Sequence, residues 1–89
     1  MISATVTIIN KLGLHARAAT KLVNCASGFD ADVSLKRGAR EVNAKSIMGV
    51  LTLAASIGTE LTIMTNGSDE DAALEAILAL VNDRFGEGE

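Results

Sequence analysis

Aromatic residues are nearly absent from this chain of 89 residues, which has no tryptophan, no tyrosine and only two phenylalanines. Binding of single-stranded nucleic acid usually needs aromatic side chains that stack on the bases, together with a strongly basic surface. The formal net charge of this chain is instead −3 at pH 7. The composition therefore argues against nucleic acid as a partner.

Cysteine and long hydrophobic runs are also scarce. Cys25 is the only cysteine, so no disulfide can form within the chain, and a lone thiol is typical of a reducing compartment. The longest apolar stretch, residues 47–58, is interrupted by glycine, threonine and serine and is too short to span a bilayer. No basic and apolar leader opens the sequence. We therefore expect a cytoplasmic protein with no membrane partner.

Charge is unevenly distributed along the chain. Residues 1–68 hold seven Lys/Arg and four Asp/Glu, a balance of +3, whereas residues 69–89 hold one arginine and seven Asp/Glu, a balance of −6. A mildly basic body followed by an acidic C-terminal segment favours acidic protein partners at the end of the molecule that carries His15.

Four short segments alternate apolar and polar residues with the period of two that is typical of half-buried strands. They cover residues 3–9, 31–36, 41–44 and 61–64. The second and third segments are separated by a turn around Arg37 and Gly38, which predicts an antiparallel hairpin.

Two helices are predicted before the last strand. Apolar residues recur at helical spacing over residues 16–27, and Gly28 is well suited to end that helix. His15 then falls at the N-cap of this helix or beside it. Ser46 is a good N-cap for a second, short helix that runs through about Leu53.

A third and longer helix is predicted to follow Ser68 as its N-cap, with acidic residues at 69–71 in its first turn, where they match the helix dipole. Residues 86–89 are expected to fray. Every strand is apolar on one side only, so the helices can cover only one face of the sheet. The sequence thus predicts an α+β two-layer open-faced sandwich of order βαββαβα, a four-stranded antiparallel sheet with three helices on one face.

The candidate for chemistry is His15, the only histidine. A lone histidine near a helix start is by default a surface or packing residue. However, the first turn of a helix has N–H groups without intrahelical partners and carries partial positive charge, and such an end attracts phosphate. The backbone of Ala16, Arg17 and Ala18 could donate to phosphoryl oxygens, and the Arg17 guanidinium can make charge-assisted contacts with them. A neutral imidazole at this point can attack phosphorus, so we expect His15 to accept and donate a phosphoryl group.

The surroundings of His15 in the sequence supply little else. Gly13 lets the backbone turn tightly before the site. No second acid or base is visible nearby, so we expect chemistry only when a partner protein completes the site. We expect no cofactor and no metal, because no Cys, Asp or Glu stands at ligand spacing from His15.

Two segments carry a resemblance to a known family. Residues 13–19 (Gly-Leu-His-Ala-Arg-Ala-Ala) and residues 42–50 (Val-Asn-Ala-Lys-Ser-Ile-Met-Gly-Val) resemble the histidine-containing phosphocarrier HPr of the bacterial phosphotransferase system. The resemblance runs through essentially the whole chain, which implies one HPr-like domain over residues 1–89. Residues 8–19 and 79–89 look more like the nitrogen-related branch, NPr. Many members have proline where this chain has Ala18, and proline there omits only an N–H that has no helical partner.

The resemblance implies a function as well. A phosphoryl group from phosphoenolpyruvate would pass through Enzyme I to the Nδ1 atom of His15, with help from Arg17, and then to an EIIA-type acceptor. The protein would act as a stoichiometric carrier in a relay rather than as an independent catalyst. Because a carrier must expose His15, we expect a monomer. Whether the relay serves sugar import or nitrogen-related regulation stays open at this point.

Ser46 has two interpretations, a helix cap and a regulatory site. In many members of the family, a serine in this context is phosphorylated by HPr kinase/phosphorylase. The resemblance also implies that the first two helices dock Enzyme I and the acceptors. The docking candidates are Thr20, Lys21, Asn24, Ile47, Met48 and Leu51. We expect Ile47 and Met48 to be partly exposed, because a short helix cannot bury every side.

Two alternatives from other functional classes remain. The first is a non-catalytic regulatory adaptor controlled by phosphorylation of Ser46. The second is a small-molecule-sensing α+β domain, in which His15 would need no role.

Overall fold

The alternating segments form one antiparallel sheet in the computed structural model, which describes residues 1–89. The strands are β1 (Ile2–Thr7), β2 (Asp32–Arg37), β3 (Arg40–Asn43) and β4 (Glu60–Asn66). Their spatial order is β1-β4-β2-β3, and every neighbouring pair is antiparallel. Because side chains alternate across a strand, one face of the sheet carries the buried residues Val33, Leu35, Leu61 and Ile63. The other face stays polar.

The helices cover the apolar face of the sheet. They are α1 (Ala16–Ser27), α2 (Ile47–Leu51) and α3 (Glu70–Asn82), and a short turn with left-handed backbone over Arg84–Gly86 follows α3. The predicted α+β open-faced sandwich is confirmed in its element order and in its sheet. None of the helices combines the length and the apolar character that crossing a bilayer requires.

Two predicted helix boundaries are wrong, and side-chain contacts explain one of them. The second helix ends at Leu51 rather than at about Leu53. The third helix has Asp69 rather than Ser68 at its N-cap position. The Asp69 carboxylate accepts hydrogen bonds from the backbone N–H groups of Asp30 at 2.9 Å and Ala31 at 2.8 Å. These bonds, that from Asp30 above all, hold the pKa of Asp69 below its usual value. Asp69 therefore ties the loop before β2 to α3.

Candidate functional site

The loop between β1 and α1 brings His15 to the surface. Gly13 adopts a left-handed φ of +67°, and a Cβ atom there would lie 2.6 Å from the carbonyl oxygen of Ala55. The next N–H, that of Leu14, donates to the same oxygen at 2.8 Å. The loop is therefore pressed against the segment that follows α2, which fixes where α1 begins.

His15 is the N-cap residue of α1, as predicted. Its backbone is extended (φ −77°, ψ 179°), and its side chain makes no capping hydrogen bond. Its carbonyl oxygen accepts the N–H of Ala19 at 2.8 Å. The N–H groups of Ala16, Arg17 and Ala18 come before that bond and have no hydrogen-bond partner in the protein. This end of α1 therefore has the unpaired donors that attract an anion.

The three residues of this first turn differ in exposure. Ala16 and Arg17 are exposed, whereas Ala18 is fully buried. The N–H group of Ala18 is therefore closed to an incoming phosphoryl group unless the helix end moves. The Arg17 guanidinium makes no hydrogen bond or ion pair within the chain, so it is free to contact an anion. The structure thus brings the predicted His15 and Arg17 together at one exposed helix end.

The two ring nitrogens of His15 lie in different environments. Nε2 contacts the carboxylate of Glu87 through Oε2. Nδ1 makes no hydrogen bond and is not among the buried unpaired atoms, so it remains accessible. The side chain as a whole is 26% exposed. The ring is therefore held on one side and open on the other.

Glu87 is held in place by Asn10, which is fully buried. The Asn10 Nδ2 atom donates to Glu87 Oε1 at 2.9 Å and to the carbonyl oxygen of Gly13 at 2.8 Å. The pKa of Glu87 lies below its usual value, because the carboxylate accepts hydrogen bonds from Asn10 and His15 and is near the positive charge of Arg17. An ionised carboxylate thus sits against the ring.

The C-terminal segment that carries Glu87 is docked, so the expected fraying of residues 86–89 is wrong. Phe85 is fully buried, and its carbonyl oxygen accepts the Lys21 ammonium at 2.6 Å. At the last residue, Glu89, the carbonyl oxygen accepts the N–H of Lys11 at 2.9 Å. Lys21, a predicted docking residue, therefore also holds the tail next to the site.

Glu87 and Asn10 are the residues of the site that sequence reasoning missed. The expectation that no acid lies near His15 is wrong, because Glu87 is 72 positions away in sequence but touches the ring. One signal in the sequence pointed to the docked tail. Phe85, one of only two phenylalanines, stands just before the segment expected to fray and two residues before Glu87. Such a side chain is usually buried.

The second predicted surface lies on α2 and on the exposed side of α1, which pack against each other. Ser46 is the N-cap of α2, and its Oγ accepts the N–H of Gly49 at 3.1 Å. Met48 is 72% exposed and Ile47 is 41% exposed, which confirms the expected exposure of both. Leu51 is half-buried. The other docking candidates, Thr20, Lys21 and Asn24, are exposed on α1.

Replacing Gly13 with alanine is expected to destabilise the protein and disturb the site, because the new Cβ would collide with the carbonyl of Ala55. We expect the free energy of unfolding to fall by about 2 kcal/mol or more, combining backbone strain with the displaced loop. Urea denaturation measures this loss. Gly38→Ala is the matched control, since Gly38 has a similar φ of +57° but open space around it. Equal losses in the two variants would show that the close approach at Gly13 is unimportant.

The sequence and the fold of this chain are similar to those of known phosphocarrier proteins. Residues 2–83 match the family model described as PTS HPr component phosphorylation site. Phosphocarrier protein HPr of Cupriavidus necator is 55% identical over 89 residues, which are 100% of this chain and 100% of the relative. Phosphocarrier protein NPr of Shewanella violacea is 51% identical over 82 residues, which are 92% of this chain and 90% of the relative. The crystal structure of HPr-C-His from Thermoanaerobacter tengcongensis superimposes with a TM-score of 0.97 at 39% identity, covering 100% of both chains.

From the sequence, we expect this chain to be most similar to the NPr branch of the family. Relatives of both names are similar over nearly the full length, and the HPr of C. necator is more similar than the NPr of S. violacea. The nitrogen-related placement therefore has only mild support.

Proposed function

Since this chain belongs to the HPr family, the phosphocarriers of the phosphotransferase system, we propose that His15 is the residue that carries its phosphoryl group. The observation that carries the proposal is the position of the ring. Its Nδ1 atom is accessible at a helix end whose first N–H groups have no partners. Such an end stabilises the negative charge of a phosphoryl group.

The transfer uses Nδ1 as the nucleophile. Its lone pair forms a bond to phosphorus while the bond between phosphorus and the donor breaks. The N–H groups of Ala16 and Arg17 and the Arg17 guanidinium then contact the phosphoryl oxygens. Ala18, the third expected backbone donor, is fully buried, so a contact from its N–H requires the helix end to move. In the second transfer the same steps run in reverse, toward the acceptor.

We propose Enzyme I as the donor and an EIIA-type domain as the acceptor, as the family resemblance implies. The protein is then a stoichiometric carrier that works as a monomer, because both partners must reach His15 in turn. A nitrogen-related relay is the branch we favour, supported by the relative named NPr. The acidic C-terminal segment lies against the basic residues Lys11 and Lys21 of the body, so Arg17 is the cation left free at the site to attract an acidic partner.

The experiment that tests this function uses the protein with Enzyme I and labelled phosphoenolpyruvate. We expect one phosphoryl group per chain, labile in acid and stable in alkali, and located at residue 15 by mass spectrometry. A label that survives acid, or one that lies at another residue, would contradict the proposal. A protein that takes up no label would favour the sensing alternative.

The exposed apolar surface of α2 is our proposed docking site for both partners. Met48→Glu is expected to slow transfer from Enzyme I about tenfold, because a charge replaces an apolar anchor at the centre of the contact. Stability should change little, since Met48 is mostly exposed. Met64→Glu is the control, because Met64 lies on the polar face of the sheet, away from His15. Equal transfer rates for Met48→Glu and the unmodified protein would exclude docking through Met48.

We also propose that Ser46 is a regulatory phosphorylation site. Its hydroxyl already accepts an N–H at the start of α2, so a phosphate there needs little rearrangement and adds charge beside the docking surface. Ser46→Ala should lose about 1 kcal/mol of stability through the missing cap and take up no phosphate from HPr kinase/phosphorylase and ATP. Phosphate uptake equal to that of the unmodified protein would exclude this site.

A further inference from the structure

We propose that Glu87 is a positioning residue for His15: its carboxylate keeps the ring proton on Nε2 and thereby leaves the Nδ1 lone pair free to attack phosphorus. The inference rests on the proposed function, since it concerns the same ring. It concerns a residue that neither the motif around His15 nor the predicted docking surface contains.

The contact with Glu87 decides which ring nitrogen of His15 carries the proton. An ionised carboxylate can only accept hydrogen bonds, so the contact with Glu87 requires Nε2 to be the donor. In a neutral imidazole one nitrogen carries the proton and the other is an acceptor, and the bond made by one decides the state of the other. The contact therefore selects the tautomer in which Nδ1 is unprotonated. Without it, both tautomers of the ring become available.

The Glu87 carboxylate is itself held in place. The Glu87 side chain is 15% exposed, whereas the Glu89 side chain, two residues further on, is 75% exposed. Its second oxygen accepts from Asn10, which also binds the carbonyl of Gly13 in the loop before the site. Phe85 buries the segment just ahead of Glu87. A carboxylate fixed in this way holds the ring at a set angle, and such supporting partners commonly orient histidines at functional sites.

The proton on Nε2 can stay in place throughout the reaction. When phosphorus bonds to Nδ1 and leaves its donor, the Nε2 proton stays in place and the ring becomes positively charged. Glu87 then faces a cation and stabilises it, while the unpaired N–H groups at the start of α1 can donate to the phosphoryl oxygens. When the group leaves for the acceptor, the ring returns to the same tautomer. No proton has to leave or enter in either direction.

The test compares Glu87→Ala with Glu89→Ala, a control that removes a carboxylate from the same segment without touching the ring. The nitrogen chemical shifts of the His15 ring are measured by NMR at an alkaline pH where the ring is neutral. The unmodified protein and Glu89→Ala should show one unprotonated Nδ1 and one protonated Nε2. Glu87→Ala should show shifts averaged between the two tautomers. Its phosphoryl-transfer rate should fall about tenfold, while Glu89→Ala stays within about twofold.

Urea denaturation gives the free energy of unfolding of both variants. It thereby separates a loss of ring positioning from a loss of stability. A slower transfer in Glu87→Ala with unchanged nitrogen chemical shifts would mean that Glu87 acts only by keeping the C-terminal segment docked. That result would overturn the inference. A wild-type rate in Glu87→Ala would overturn it as well. Failure of the proposed function would look different, because the unmodified protein itself would then take up no acid-labile phosphate.

Discussion

His15→Ala is expected to abolish uptake of acid-labile phosphate from Enzyme I, a loss of about a thousandfold or more. The variant lacks the only ring nitrogen available to phosphorus, and a covalent carrier cannot work without its nucleophile. The unpaired N–H groups of α1 and the Arg17 guanidinium remain, but they can bind phosphate only noncovalently. Gel or mass-spectrometric detection of labelled protein after incubation with phosphoenolpyruvate and Enzyme I measures the loss.

Folding should survive this change. The His15 side chain makes no capping hydrogen bond, and Asn10 continues to donate to Glu87 when the ring is gone. We therefore expect the free energy of unfolding to change by less than about 1 kcal/mol. Ser27→Ala, at the exposed far end of the same helix, is the matched control and should accept phosphate normally. Undiminished acid-labile labelling of His15→Ala would remove the basis of the proposed function.

Phe85→Ala is expected to have the largest effect on stability. Phe85 is fully buried, and removal of a buried phenylalanine typically costs about 3–5 kcal/mol. That is a large part of the total for a domain of this size, which is on the order of 5–15 kcal/mol. The tail should also detach, since Phe85 is the side chain that anchors it. The midpoint of urea denaturation reports the first effect.

Hydrogen exchange reports the second effect. The N–H of Lys11 is bonded to the carbonyl oxygen of Glu89 and should exchange faster in Phe85→Ala than its lower global stability accounts for. Phe29→Ala is the matched control, because Phe29 is only half-buried and lies away from the tail. It should lose less stability and leave the Lys11 exchange unchanged. A Phe85→Ala protein within about 1 kcal/mol of the unmodified chain would show that Phe85 does not anchor the tail.

These two predictions concern opposite ends of the chain that meet at one ring. His15 lies at the start of α1, and the segment after α3 returns to cover one side of it. The backbone turns there through left-handed φ angles of 54° at both Arg84 and Phe85, a conformation that residues other than glycine seldom adopt. Burial of Phe85 offsets that strain. The tail thus supplies Glu87 to the site at a cost in backbone energy, which burial of Phe85 and the hydrogen bonds from Lys21 and Asn10 offset.

Much of the fold was readable from local patterns in the sequence. The period of two identified all four strands, and helical spacing identified α1 and α3, because each half-buried element needs an apolar face of its own. The sequence placed His15 at the N-cap of α1 or beside it, and it is the N-cap, since a helix start depends on the residues immediately around it. Ser46 was likewise identified as a cap. The motifs at residues 13–19 and 42–50 together indicated the family.

Tertiary structure alone decided the contacts between residues far apart in the sequence. Phe85 is the one local sign in residues 84–89 that the tail docks, and nothing there indicates that Glu87 meets His15 and Asn10. Asp69 likewise bonds to the backbone of a distant loop instead of capping its own helix. Local sequence determined where each strand and helix forms and which residue can accept phosphate. The folded chain determined which carboxylate holds the ring, because that depends on how a buried side chain directs the last residues.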